Sequence, residues 1–312
     1  MYRLIDSMSV MESLHPRRYP DPAAALQLIK PITWFPPMWA FVCGAVSSGV
    51  SPDGHWALLT LGVLLAGPIV CGMSQAANDW CDRHVDAEER PERPIPSGRV
   101  SPDAALAVAA GLGAAGLGVA TLVGGRSAVA VAAPLALMVV AYDAVAKDAA
   151  VGPLAMASTR GLDVLLGAHA SPASAWQPAL AMTAHTAGLT WLSRGEVHGT
   201  RPEVAGAVTA GTLAVAAATA HAAFHDPHAG RLARSAGVGL SAAYAVVVGR
   251  AQARAAQQPT AEAARTATRT GIGGFSLLQG AWLARRGRLG AAAAVVGAGP
   301  AYRALSRRWS PT

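Results

Sequence analysis

The sequence predicts an all-α fold, a polytopic bundle of nine or ten membrane-spanning helices. Three observations carry that prediction. Only 14% of the 312 residues are charged and 52% are apolar, whereas a soluble domain of this size carries about 25% charge; the mean hydropathy is +0.33. Long uncharged runs cover residues 31–51, 56–78, 104–125 and 204–223, and residues 161–193 are interrupted only by Asp163. A bilayer-spanning helix needs about 20 such residues. Between the second and third runs stands the densest cluster of charge in the chain, QAANDWCDRHVDAEERPERPIPSGR at residues 75–99.

In chain order, residues 1–29 form a cytoplasmic lead, without the continuous apolar core of a cleavable signal peptide. The first span begins near Lys30, where Trp34 and Trp39 suit an interfacial or cavity-lining position. Residues 47–54 form an outside turn without Lys or Arg, and the second span, about 56–77, delivers the Asn78 cluster back inside. Pro91, Pro94 and Pro96 with Ser97 and Gly98 then break the helix. Ser101 or Asp103 caps the third span, with Pro102 at its first position. That span ends at 124–126 and the fourth covers 127–146. A fifth covers 151–169, Pro172 marks an outside turn, and the sixth ends near Leu192, before a second polar loop at 193–203. Further spans lie at 204–223, 232–249, 269–284 and 289–303; the last two, separated only by 285–288, form one broken span or a hairpin. The resulting division is a lead at 1–29, one transmembrane domain at 30–304 and a tail at 305–312.

The inward segments of this arrangement carry most of the 25 lysines and arginines, and the outward turns only Arg126, Arg231, Arg234, Arg285, Arg286 and Arg288. This is the bias expected of cytoplasmic loops. It explains the net charge of +7 without a nucleic-acid partner. Cys43 and Cys71 fall in spans as small packing residues, and Cys81 lacks the paired spacing of a zinc site.

Asn78, Asp82 and Asp86 recur every four residues, which on a helix lines oxygen ligands along one face; Asp79, about 100° away, is positioned for a second ion or to orient a neighbour. Clustered carboxylates repel unless compensated, and Mg²⁺ takes such oxygens together with substrate phosphates. The competing reading is a solvated helix end. Lys147, Arg93 and Arg99 supply positive charge for a diphosphate. The second loop adds Arg194, Glu196 and Arg201 on the same predicted side, with Glu196 read as a second magnesium ligand, a base, or one half of an ordinary loop ion pair. Arg160 and Asp163, three apart on one helix, read equally as a buried pair or as a wall of the substrate cavity. His198 reads as an exposed loop residue, and His221, His225 and His228 fall on the opposite side from the cluster. No Walker loop, dinucleotide fingerprint or nucleophilic triad is present.

Asn78, Asp79, Asp82 and Asp86, followed by Arg93-Pro94-Ile95-Pro96-Ser97-Gly98-Arg99, resemble the first aspartate-rich signature of the UbiA superfamily of intramembrane prenyltransferases, and especially its chlorophyll and bacteriochlorophyll synthase branch. The segments 142–147, 160–167 and 193–199 look more like the EboC-like branch. The resemblance implies a helical bundle around a lipid-accessible cavity, with Asn78, Asp82 and Asp86 on Mg²⁺ bridged to a polyprenyl diphosphate and Arg93 and Lys147 at the phosphate. It implies transfer of the prenyl group to a small, ring-containing acceptor, and the distribution of lysine and arginine places that site facing the cytoplasm, in the inner or plasma membrane. Family members carry a second aspartate pair where this chain has Ser193-Arg194-Gly195-Glu196-Val197-His198-Gly199. That departure keeps two alternatives open, a membrane terpene cyclase and a noncatalytic isoprenoid-lipid carrier.

Overall fold

The structure is a computed structural model and describes residues 22–49, 62–63 and 65–309. Its helices in chain order are α1 (Pro22–Ile29), α2 (Phe35–Ser47), α3 (Gly72–Cys81), α4 (Arg83–Glu89), α5 (Pro102–Ala141), α6 (Gly152–Gly167), α7 (Trp176–Ser193), α8 (Pro202–Phe224), α9 (Arg231–Gln257), α10 (Ala261–Arg285) and α11 (Leu289–Trp309). A π-helical turn, Leu65–Cys71, leads into α3, and another, Tyr142–Ala146, ends α5. Among the described residues there is no strand. The predicted start of the second span, most of the outside turn before it and residues 1–21 lie outside the described residues.

Local chemistry sets the helix starts. Ser101 Oγ accepts from the Ala104 amide at 3.1 Å with Pro102 in the first helical position, and Thr260 Oγ1 does the same for Ala263 at 3.2 Å. Each serves one of the amides that a helix N-terminus leaves unbonded. The expected break at 124–126 is a turn at Gly125, whose φ of 57° and ψ of −141° are open to a residue without a side chain. Leu112, before this turn, packs on Gly72, and Asp143, after it, bonds to Asn78. The two limbs of α5 therefore run in opposite directions along α3.

The α2–α6 contact is tighter still. A Cβ on Gly44 would stand 1.8 Å from the Val164 carbonyl oxygen, and one on Gly167 would stand 1.9 Å from that of Phe41. The two backbones touch, as small residues allow in membrane bundles. One core, including Ala40, Val164, Met182, Tyr244 and Leu278, joins α2 to α6, α7, α9 and α10. A second, with Phe41, Leu65, Met73, Leu135 and Leu166, holds α2, α3, α5 and α6. A smaller group, Leu28, Ala76, Ile95, Val100 and Ala105, seats α1 and the proline-rich loop beneath the charged cluster.

The helix ends sort into two layers. Lys30, Asp79, Lys147 and Arg194 meet at one end of the bundle. At the other, Arg285 contacts Asp226 and Gln177, and Arg286 donates to the Ser47 carbonyl. That is an up-and-down helical bundle of membrane character.

Several boundaries differ from expectation. Among the described residues three helical segments, Pro102–Ala146, Pro202–Phe224 and Arg231–Gln257, are long and apolar enough to cross a bilayer, the first of them turning back at Gly125. Nine or ten separate spans are not established, because α2 and α6 have 13 and 16 residues and α10 carries Arg265 and Arg269. Helices α9 and α10 each run about two turns beyond their predicted ends, placing Arg254 and Arg265, expected in a loop, on helices. The last two segments are separate helices turned at Gly287, and α11 continues past residue 303 to Trp309.

Candidate active site

The charged cluster forms where α1, α3, α4 and the end of α5 converge, and it consists of carboxylates interleaved with cations. Lys30 Nζ lies 2.5 Å from Asp79 Oδ1. Arg93 Nη1 lies 2.6 Å from Asp86 Oδ2 and 3.6 Å from Asp79 Oδ1. Lys147 pairs with Asp82. Asn78 donates from Nδ2 to Asp143 Oδ1 at 3.2 Å. Asp143 is within electrostatic reach of Asp82, Lys147 and Lys30, so the two halves of the cluster are one site.

The expected stripe is bent. The chain leaves α3 and enters α4 at Asp82, with φ −83° and ψ −1°. Asp86 is thereby buried against Arg93, while Asn78 and Asp82 face the end of α5. Burial raises the pKa of Asp79 above the ordinary carboxylate range against the opposing influence of Lys30 and Arg93. Burial alone would lower that of Lys147, but the hydrogen bond and charge of Asp82 hold it above its usual value.

Two buried oxygens in the cluster have no hydrogen-bond partner, Asp79 Oδ2 and Asp143 Oδ2. Their residues are 2% and 8% exposed. A buried carboxylate oxygen without a donor is costly, and a hard cation would relieve it. The donor set thus fits a divalent metal. Among the described residues no three His, Cys, Asp or Glu side chains converge closely enough to hold one unaided, so further ligands would have to come from a substrate or water.

The remaining expected site residues are placed as follows. Arg99 donates to Gln27 Oε1 at 2.6 Å, the Glu92 carbonyl at 2.6 Å and Ser97 Oγ at 3.0 Å, fastening the proline-rich loop to α1. Arg194 donates to the carbonyls of Lys147 and Ala149, which ties the second loop to the cluster. The Glu196 carbonyl accepts from Arg265 Nη1 at 2.6 Å, but its carboxylate has no ion pair among the described residues. Arg201 is exposed ahead of α8.

Sequence reasoning passed over Lys30 as part of the cluster. Its signal was a lone lysine preceding a span, and its partner lies 49 residues away. It also gave Asp143 no role of its own, although a carboxylate on the last turn of an apolar helix is costly unless it serves a function.

Beside the cluster opens a small pocket lined by residues that include Val70, Gln75, Leu135, Tyr142, Arg160 and Asp163. Both π-helical turns border it, a feature that recurs at functional sites. Arg160 and Asp163 are ion-paired, and both line this pocket.

Fold and site together define an integral membrane helical bundle with an ionic centre beside a pocket of mixed polar and apolar lining. The model of the UbiA prenyltransferase family matches residues 33–194, and the chain belongs to that family. It is 67% identical over 93 residues to the bacteriochlorophyll synthase 33 kDa chain of Cereibacter sphaeroides, an alignment covering 30% of this chain and 31% of that one. The chain thus spans less than a third of the length of that relative. Among solved structures, a digeranylgeranylglyceryl phosphate synthase superposes with a TM-score of 0.64 at 16% identity, covering 85% of this chain and 98% of that one. A UbiA homolog from Archaeoglobus fulgidus bound to DMAPP and Mg²⁺ gives a TM-score of 0.58 at 13% identity over 81% of this chain and 99% of that one.

Proposed function

We propose that this protein is a magnesium-dependent intramembrane prenyltransferase that moves an isoprenoid group from its diphosphate to a small, ring-bearing acceptor. The observation that carries the reading is the pair of orphaned carboxylate oxygens, Asp79 Oδ2 and Asp143 Oδ2, in a cluster with Lys30, Arg93 and Lys147. Such a site is matched to a ligand that brings a divalent cation and a polyanion together. Family membership and the bacteriochlorophyll synthase relative favour the prenyl diphosphate and the ring-bearing acceptor.

Asn78, Asp79, Asp82 and Asp86 would hold Mg²⁺, which when bound supplies charge stabilisation to the departing diphosphate. Arg93 and Lys147 would exchange part of their carboxylate contacts for phosphate oxygens, spreading the negative charge that develops as the C1–O bond breaks. The prenyl carbon then bonds to a nucleophilic atom of the acceptor, which loses a proton. The apolar wall of Val70, Leu135 and Val139 shelters the cationic carbon from water. Each prenyl CH₂ buried against such a wall contributes roughly 0.8 kcal/mol.

We read residues 30–304 as the transmembrane domain, flanked by the lead 1–29 and the tail 305–312. Counting both limbs of α5 as crossings gives nine or ten, with the charged cluster facing the cytoplasm of the inner or plasma membrane. In this reading Arg99 and Arg194 brace the two loops, Glu196 and Arg201 lie at the rim, and segments 142–147, 160–167 and 193–199 stand nearer the EboC-like branch.

Pyrophosphate release from geranylgeranyl diphosphate by the detergent-purified protein tests the proposal. It is expected with Mg²⁺ and to be lost in Asp82→Ala protein that keeps the wild-type melting temperature. Unchanged turnover in that variant would reject the metal role. Equal formation of a cyclic hydrocarbon without any acceptor would make the protein a terpene cyclase instead.

A further inference from the structure

Asp143 stands out within the cluster. It sits on the π-helical turn after the second limb of α5, 65 residues from Asn78, and joins the site from the opposite side to α3 and α4. One of its oxygens is used by the Asn78 amide and the other, Oδ2, is buried without a partner. The other cluster carboxylates each face a cation, Asp79 facing Lys30, Asp82 facing Lys147 and Asp86 facing Arg93. Asp143 is the carboxylate of the set without an ion pair among the described residues, and it is 8% exposed. An ionised group placed so is stable when a cation arrives with the ligand. Meanwhile the second polar loop carries Glu196 and Glu203, neither ion-paired among the described residues, and the Glu196 backbone carbonyl is held by Arg265.

We infer that Asp143 is a ligand of the divalent cation, supplying from the end of α5 the carboxylate that the second loop does not bring to the cluster. This rests on the functional reading above. Asn78 then has two tasks: its amide nitrogen fixes Asp143, and its carbonyl oxygen is left available to the same ion. The π-helical turn, closed by the bond from the Lys147 amide to the Tyr142 carbonyl at 2.9 Å, brings both Asp143 and Lys147 to the cluster. The lysine holds Asp82 while the aspartate accepts from Asn78.

The test is Mn²⁺ binding to the full chain in detergent, read from the electron paramagnetic resonance signal of free Mn²⁺. It is run with and without a geranyl thiolodiphosphate, which resists ionisation. Asp143→Asn keeps an acceptor for the Asn78 amide and removes the charge; it is expected to weaken Mn²⁺ binding at least tenfold, while Glu196→Gln stays within twofold of wild type. Asp143→Glu, which restores the charge, is expected to recover most of the affinity. Wild-type affinity in Asp143→Asn overturns the inference, as does a loss in Glu196→Gln with none in Asp143→Asn. If Asp143→Asn does not purify as a monodisperse protein, Asp143→Ser is read by the same criteria. Asp82→Ala measured alongside separates the levels: Mn²⁺ binding unchanged there sinks the functional reading itself, whereas loss in Asp82→Ala but not in Asp143→Asn sinks the Asp143 assignment alone.

Discussion

Lys30 and Asp79 meet at 2.5 Å across 49 residues of sequence, joining the chain between α1 and α2 to the charged end of α3. Lys30→Met would leave a carboxylate that is 2% exposed with Arg93 at 3.6 Å as its nearest remaining cation. Breaking a buried pair from one side costs about 3–5 kcal/mol, and Arg93 keeps the expected loss near the lower figure. A fall in melting temperature that Asp79→Asn partly restores in the double variant is the expected result.

Arg93 Nη1 stands between Asp79 and Asp86, so both the charge and its position matter there. Arg93→Lys keeps one contact and is expected to retain part of the transfer activity. Arg93→Ala leaves two buried carboxylates facing each other and is expected to reduce pyrophosphate release at least about a hundredfold, near 2.7 kcal/mol in the barrier. Comparing the two rates at saturating prenyl diphosphate checks the order.

The α2–α6 contact leaves no space for a side chain. Gly44→Val puts a methyl-bearing carbon where the Val164 carbonyl stands, and two backbones cannot yield as a side-chain tip can. Loss of monodisperse protein is expected on gel filtration. Gly206→Ala, which meets nothing within 4 Å, is expected to stay within about 0.5 kcal/mol of wild type.

At the opposite end, burial would raise the pKa of Asp226, but the hydrogen bond from Arg285 Nε at 2.8 Å and that from the His228 amide at 3.0 Å hold it below the ordinary carboxylate value. A depressed folded pKa gives stability that is complete above the unfolded value, about 3.9, and is lost as pH falls through the folded one. Thermal midpoints measured from pH 6 down to pH 2 are expected to fall more steeply for wild type than for Asp226→Asn, whose midpoint is already lower at pH 6.

Much of this was legible along the chain. The Ser101-Pro102 start and the glycine pair before Arg126 mark local backbone events, and the structure has a cap and a turn there. Asn78, Asp79, Asp82 and Asp86 announced the cluster because four oxygen side chains in nine positions are conspicuous between apolar runs. The lengths of α9 and α10 were hidden, since Arg250, Arg254, Arg265 and Arg269 look like loop charge when hydropathy is the guide. A helix that projects beyond the apolar layer keeps its backbone bonds and carries such residues without cost. Lys30 and Asp143 were unreadable as site residues for a different reason: their role exists only once α1, α3 and the end of α5 are brought together, and nothing local specifies those partners.

The guanidinium of Arg194 clasps the strand of chain just beyond Lys147, and Arg265 grips the neighbouring loop at Glu196. Displacing Lys147 from Asp82 would therefore bear directly on the Arg194 strap. In the proposed function, a ligand that takes Lys147 from Asp82 would draw on a residue whose own carbonyl is anchored to the end of α7.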